Sequence, residues 1–114
     1  MKKNVLLFSH QMKVGGAPTV LCEMGKILSK KYNVVVLSPS DGAMRTQFEE
    51  AGISVLISGE ITDALRDMIV QEFDFAVANT TLALPFVVKL AGRMPVYWWI
   101  HENTLAYEGR QEMK

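Results

Sequence analysis

The sequence holds one cysteine, Cys22, two histidines and no surplus of either charge, since 12 Lys and Arg balance 12 Asp and Glu. A single cysteine excludes an internal disulfide framework and a thiolate-built zinc site, and it suits a reducing compartment. Zero formal charge, with a pI of about 6.7, removes the global pull that draws basic chains to nucleic acid or anionic membranes. No apolar run approaches the roughly 20 residues that a spanning helix needs. Met1-Lys2-Lys3 followed by Val5-Leu6-Leu7-Phe8 imitates a signal peptide, yet the run stops at Ser9-His10, short of a signal core. Internal repeats, low-complexity tracts and linkers are missing too. What is present is 114 residues, 49% apolar and 21% charged, which is ordinary globular usage and enough for one domain with a core.

Two periodicities alternate along the chain. Residues 4–9, 33–38, 53–57, 75–79 and 96–101 are short apolar runs rich in Val, Ile, Leu and aromatics. Such runs fit strands covered on both faces in a parallel sheet. The segments between them have helical spacing. In the first, Val20, Leu21, Met24, Ile27 and Leu28 are the expected buried face, with Glu23, Lys26 and Lys30 opposite and Pro18 in the first turn. The second is expected over 43–51, capped by Asp41, with Met44 and Phe48 inward and Gly52 as its stop. A third, over about 62–73, should bury Leu65, Met68 and Ile69. The fourth starts near Thr80-Thr81 and stops at Gly92, with Pro85 in its first turn or bending it.

This order, βαβαβαβαβ with right-handed crossovers, predicts a Rossmann-like three-layer α/β/α fold with a parallel sheet in strand order 3-2-1-4-5. Residues 1–101 make that domain. Residues 102–114 read as a polar tail without cap or stop, the start of a helix cut through.

Ligands of open α/β sheets bind at the carboxyl ends of the strands, where strand order reverses. That point falls here between the first and fourth strands. The unusual residues cluster at those ends: Ser9-His10 through Gly15-Gly16 after strand one, Ser38-Pro39-Ser40-Asp41-Gly42 after strand two, Asn79-Thr80-Thr81 after strand four, His101-Glu102-Asn103 after strand five. Gly15-Gly16 before a helix lets an anion approach exposed backbone N–H groups closely, and the same pair also reads as a plain turn. It matches neither G-x-G-x-x-G nor a Walker loop. His101 could contact phosphate or act as general acid or base, or simply bond a backbone group at a strand end, and His10 is ambiguous in the same way. His10, His101 and Glu102 show no supporting pattern for a metal, so none is expected. No Ser/His/Asp triad can be assembled. Trp98-Trp99, the seven methionines and Cys22 read as core, the last as a buried, inert thiol.

Taken in order, several segments are similar to the N-terminal domain of two-Rossmann-domain (GT-B) glycosyltransferases of the large retaining family 4. They are Val5-Leu6-Leu7-Phe8-Ser9-His10, Gly15-Gly16-Ala17-Pro18-Thr19-Val20-Leu21, Val34-Val35-Val36-Leu37-Ser38-Pro39, Phe48-Glu49-Glu50-Ala51-Gly52-Ile53, Ala76-Val77-Ala78-Asn79-Thr80 and Pro95-Val96-Tyr97-Trp98-Trp99-Ile100-His101-Glu102. Together they cover nearly the whole chain. The resemblance implies an enzyme half that receives the acceptor while a nucleotide-diphosphate sugar is the donor. It puts Gly15 and Gly16 beside the donor diphosphate and His101 at the reaction centre, with His10, Asn79, Thr80 and Glu102 lining the acceptor cleft. Many such enzymes need no metal or other cofactor, because helix N-termini and basic residues stabilise the leaving diphosphate.

Pro18 stands where the family often has an acidic residue, and Tyr32-Asn33 replaces the usual Gly after the first helix. The expected partners are a second Rossmann domain absent from these 114 residues and a sugar or lipid-linked acceptor, with no nucleic acid. The expected location is the cytoplasm. Family members often touch the inner face of a membrane, but Lys2, Lys3, Lys13, Lys30, Lys31 and Arg45 are too scattered to predict that contact. The half alone is expected to be inactive. Two other readings stand beside this one. A stand-alone nucleotide or phosphate-ligand module suffers from the missing G-x-G-x-x-G. A signalling receiver needs an Asp where strand three ends, and Ile57-Ser58 stand there.

Overall fold

The computed structural model describes residues 2–13, 16–79 and 83–99. Strand β1 (Asn4–Phe8) sits at the centre, in parallel register with β2 (Asn33–Ser38) on one side and β4 (Phe75–Asn79) on the other. Strands β3 (Ser54–Ile57) and β5 (Val96–Trp99) form the edges. The order is β3-β2-β1-β4-β5, all parallel, as the alternation of periods predicts. Side chains of successive strand residues point to opposite faces, so β1 feeds two cores. Val5 and Leu7 pack with Leu21, Met44 and Phe48 on one side. Leu6 and Phe8 pack with Ile69, Phe86 and Leu90 on the other.

Helices α1 (Gly16–Leu28) and α2 (Met44–Glu50) cover the first face, α3 (Asp63–Glu72) and α4 (Leu84–Leu90) the second. The three-layer α/β/α arrangement of the sequence reading is therefore present. Several details differ. The buried face of α1 is Pro18, Leu21, Cys22 and Gly25, while Ile27 is 68% exposed and Val20 also faces outward. The glycine sets this rotation: a Cβ at Gly25 would lie 2.6 Å from Ile53 Cδ1, so the helix approaches the sheet there as a larger residue could not. In α3, Ile69 is buried and Leu65 half-buried, but Met68 is exposed.

Thr62 caps α3, its Oγ1 accepting from the Leu65 N–H at 3.1 Å. Asp41 does not cap α2; Ala43 occupies that position with no side-chain bond. Asp41 instead accepts from the Gly42 N–H at 2.8 Å and from Arg45 Nη1 at 3.1 Å. Helix α4 has Pro85 in its first turn, where the missing N–H costs no bond, and its expected start near Thr80-Thr81 lies outside the described residues. Gly52 and Gly92 follow α2 and α4 with φ of 82° and 78°, the left-handed stop that glycine tolerates. Strand β3 was expected to be covered on both faces; as an edge strand it leaves Ser54, Leu56 and Ile57 exposed. On the α1 side no described helix covers β5, and Tyr97 is 58% exposed, touching Phe75 edge-on at 5.6 Å.

Candidate functional site

The carboxyl edge of the sheet is built by serines at the ends of three adjacent strands. Ser9 after β1, Ser38 ending β2 and Ser58 after β3 each donate from Oγ to the carbonyl two residues on, at 2.6, 2.8 and 2.8 Å. Their backbones prolong the sheet: Ser9 N–H donates to Leu37 O and Ser58 N–H to Ser38 O, both at 2.9 Å. Ser9 and Ser38 are fully buried, so each hydroxyl satisfies itself locally while turning the chain out of its strand. These serines are thus turn-makers.

The loop after β1 is held at a second point. Met12 is fully buried against the α1–α2 core, and its carbonyl accepts the Met44 N–H at 2.8 Å. Gly42 lies directly over that carbonyl: a Cβ there would stand 2.5 Å from Met12 O. Gly16 follows as the first residue of α1, the loop-to-helix junction expected from its sequence context.

A cavity of about 610 Å³ opens at the same edge, toward α4. Phe8 and His10 come from β1 and its loop, Pro39 and Ser58 from the next two strand ends, Phe86 and Lys89 from α4. Its floor is firm because Phe8 and Phe86 stack with centroids 4.2 Å apart. Lys89 Nζ lies 3.1 Å from Asp63 Oδ1. Together with Arg66 it holds the Asp63 carboxyl below its ordinary value, the Lys89 hydrogen bond contributing most.

Of the expected site residues, the structure places His10 on the wall of this cavity and Asn79, fully buried, at the end of β4. Gly15, Thr80, His101 and Glu102 lie outside the described residues, as does the 102–114 tail. Phe86 and Lys89 escaped the sequence reading, whereas Met12 and Gly42 lay within the loops it singled out after strands one and two. A signal existed for Met12, the only apolar residue between Phe8 and Val14. Lys89 had none, since its partner Asp63 is remote in sequence. Burial pushes the Cys22 thiol up from its ordinary value, which keeps it protonated and unreactive at neutral pH. Trp98 packs half-buried on the α3–α4 side. Among the described residues, no three His, Cys, Asp or Glu gather as a metal set, and no helix is long and apolar enough to cross a membrane.

Comparison with known proteins adds what geometry alone cannot, because one fold of this kind serves many chemistries. No curated protein matches at a significant level. Among solved structures the chain is similar to Anabaena HepE in complex with UDP-glucose, at 24% identity and a TM-score of 0.70, over 94% of this chain and 31% of that one. A second structure, Anabaena HepE in complex with UDP and glucose, matches at 23% identity and a TM-score of 0.64, over 82% of this chain and 28% of that one. The chain therefore spans less than a third of those proteins, and at this identity the likeness speaks for the fold. The family model described as glycosyl-transferase family 4 matches residues 1–114, the whole chain. By that match the chain belongs to glycosyltransferase family 4.

Proposed function

We propose that residues 1–114 are the N-terminal, acceptor-side half of a GT-B glycosyltransferase that moves a sugar from a nucleotide-diphosphate sugar to an acceptor. The whole-length family match carries this reading. UDP-glucose is the first donor to test, because the structurally similar HepE is described in complex with it. The donor diphosphate meets Gly15 and Gly16 at the start of α1, where backbone N–H groups and the helix dipole favour an anion. In this reading His101 serves at the reaction centre, and His10, Asn79, Thr80 and Glu102 belong to the acceptor cleft. No metal is required, since helix dipole and cationic side chains neutralise the leaving diphosphate.

The cleft needs a second wall, which a further Rossmann domain of the same polypeptide supplies, so residues 1–114 alone have no turnover. The acceptor is a sugar or a lipid-linked acceptor, met in the cytoplasm.

The test is Gly15→Val/Gly16→Val in the full-length protein, assayed with UDP-glucose. Two β-branched side chains close the anion approach, and loss of about two charge-assisted hydrogen bonds lowers kcat/KM by about 100-fold or more. Transfer at the wild-type rate would remove the role of the glycines. Turnover by residues 1–114 alone would refute the half-enzyme reading.

A further inference from the structure

We propose that the open edge of β3 is a homodimer interface, where two copies of this chain pair β3 with β3 antiparallel about a two-fold axis through Leu56. Such an interface stands whether or not the chain transfers sugar. Strand β3 bonds to β2 on one side, and among the described residues no strand pairs with its other side. Proteins usually blunt such an edge with charge, proline or a bulge. The opposite edge, β5, is entered through Arg93 and Pro95. From Ala51 to Gly59 the β3 segment carries neither a charge nor a proline. Leu56 and Ile57 are 37% and 36% exposed, and as neighbours on a strand they bring apolar surface to the rim on both faces of the sheet.

The symmetry of the segment selects a second copy as the occupant. Ser54-Val55-Leu56-Ile57-Ser58 runs hydroxyl, aliphatic, aliphatic, aliphatic, hydroxyl from either end. A two-fold through Leu56 sets that residue against its own copy, Val55 against the partner's Ile57 and Ser54 against the partner's Ser58. Like meets like, and no pair is charged. The backbone agrees with this register. Ser58 N–H donates to Ser38 O at 2.9 Å, prolonging the β2 ladder. Backbone groups alternate in direction along a strand, so those of Ser54 and Leu56 also point to β2, and those of Val55 and Ile57 point outward. In antiparallel pairs, residues that exchange both hydrogen bonds alternate with closer pairs that exchange none. Val55 and Ile57 are therefore the bonded residues of both copies, and Leu56 with its copy is the close pair between them. Glu49 of α2 lies beside this edge, lining a groove of about 460 Å³ with Ser54 and Val55. Arg45 holds its carboxylate at 3.3 Å, so each copy offsets its own charge there. One isologous contact uses up both edges, and assembly stops at the dimer.

The experiment combines sedimentation with site-specific cross-linking of the full-length protein. Wild type sediments as a dimer at about 100 μM and dissociates on dilution. Leu56→Lys sets two ammonium groups face to face at the two-fold and raises the dimer Kd about tenfold or more. The fold tolerates it because residue 56 is exposed. Leu56→Cys reads the register: Cα atoms of a close antiparallel pair stand about 4.5 Å apart, within disulfide reach. Mild oxidation therefore links Leu56→Cys into a covalent dimer. Ser54→Cys stands about 14 Å from its own copy, four residues at about 3.4 Å each, and does not link. Native Cys22 is buried and does not compete. Amide exchange at Val55 and Ile57 slows as concentration rises from about 1 to about 100 μM, while Tyr97 on the other edge is unchanged.

A full-length protein that stays monomeric at about 100 μM would overturn the proposal. So would a dimer that survives Leu56→Lys while Leu56→Cys links no faster than Ser54→Cys, which would put the contact on another surface. Growth past two copies that Leu56→Lys abolishes would mark open strand stacking and equally overturn the closed two-fold. If Leu56→Lys does not fold, the two cysteine variants and the exchange comparison decide.

Discussion

Gly25 shows what a single atom decides. In mid-helix a glycine costs about 1 kcal/mol against alanine, so its presence in α1 needs a reason. The reason is close approach: the missing Cβ would meet Ile53 Cδ1 at 2.6 Å and Leu7 Cδ1 at 3.1 Å, and both side chains are buried. Overpacking of a full core costs about 1–3 kcal/mol, which exceeds the propensity gain. Gly25→Ala therefore lowers stability by about 1 kcal/mol in urea denaturation. Ile53→Val deletes the atom in the way, at a cost of about 0.5–1.5 kcal/mol by itself. In Gly25→Ala/Ile53→Val the losses are less than additive, and strict additivity would show that the contact is not the cause. The sequence reading passes over Gly25 and puts Val20 and Ile27 on the buried face of the helix. Their exposure follows from where the helix axis lies over β1, which periodicity alone does not report.

Among the elements, α3 and α4 are joined at their outer margin by Lys89 and Asp63, 3.1 Å apart, with Arg66 also on Asp63 at 3.2 Å. Asp63 stands in the first turn of α3, where a negative charge also favours the helix dipole. Its folded pKa is lowered below the ordinary carboxylate value, chiefly by the Lys89 hydrogen bond. A depressed carboxyl contributes stability that is present above the unfolded pKa and lost as pH falls through the folded one. The melting temperature of wild type should thus exceed that of Lys89→Met at about pH 6. The gap should close at pH values well below 3.8, and a gap independent of pH would disprove the linkage. The pair is exposed, so its effect is small and screened by salt. Thr62, read from the sequence as the first residue of the third helix, is in fact its cap. The cap of α2 was not legible, because its acceptor is the carbonyl of Met12 in a distant loop.

At the scale of the whole molecule, the strand order concentrates stability at the centre and chemistry at one edge. Strand β1 is bonded on both sides and buried on both faces, whereas β3 and β5 each have one strand partner. Native-state hydrogen exchange should be slowest for Val5–Leu7 and Ala76–Ala78 and faster for Val55–Ile57 and Tyr97–Trp98. Equal protection across the sheet would mean that it opens only as one unit. The same order brings the loops after β1 and β2 together and sets His10 and Phe86 on one cavity, although they are remote in sequence.

The number, type and order of the elements can be read from the chain, and through right-handed crossovers so can the order of the strands. These follow from local periodicity and chain connectivity. The sequence also pointed to the carboxyl edge, since the loops there hold the Gly, His and Asn residues that chemistry uses. Three-dimensional packing settles that α1 buries Gly25 rather than Ile27, that Gly42 leaves room for the Met12 carbonyl, and that Lys89 reaches Asp63. Each of those depends on the distance between surfaces far apart in the chain. Periodicity tells which residues share a face, but steric fit alone settles how closely two faces meet.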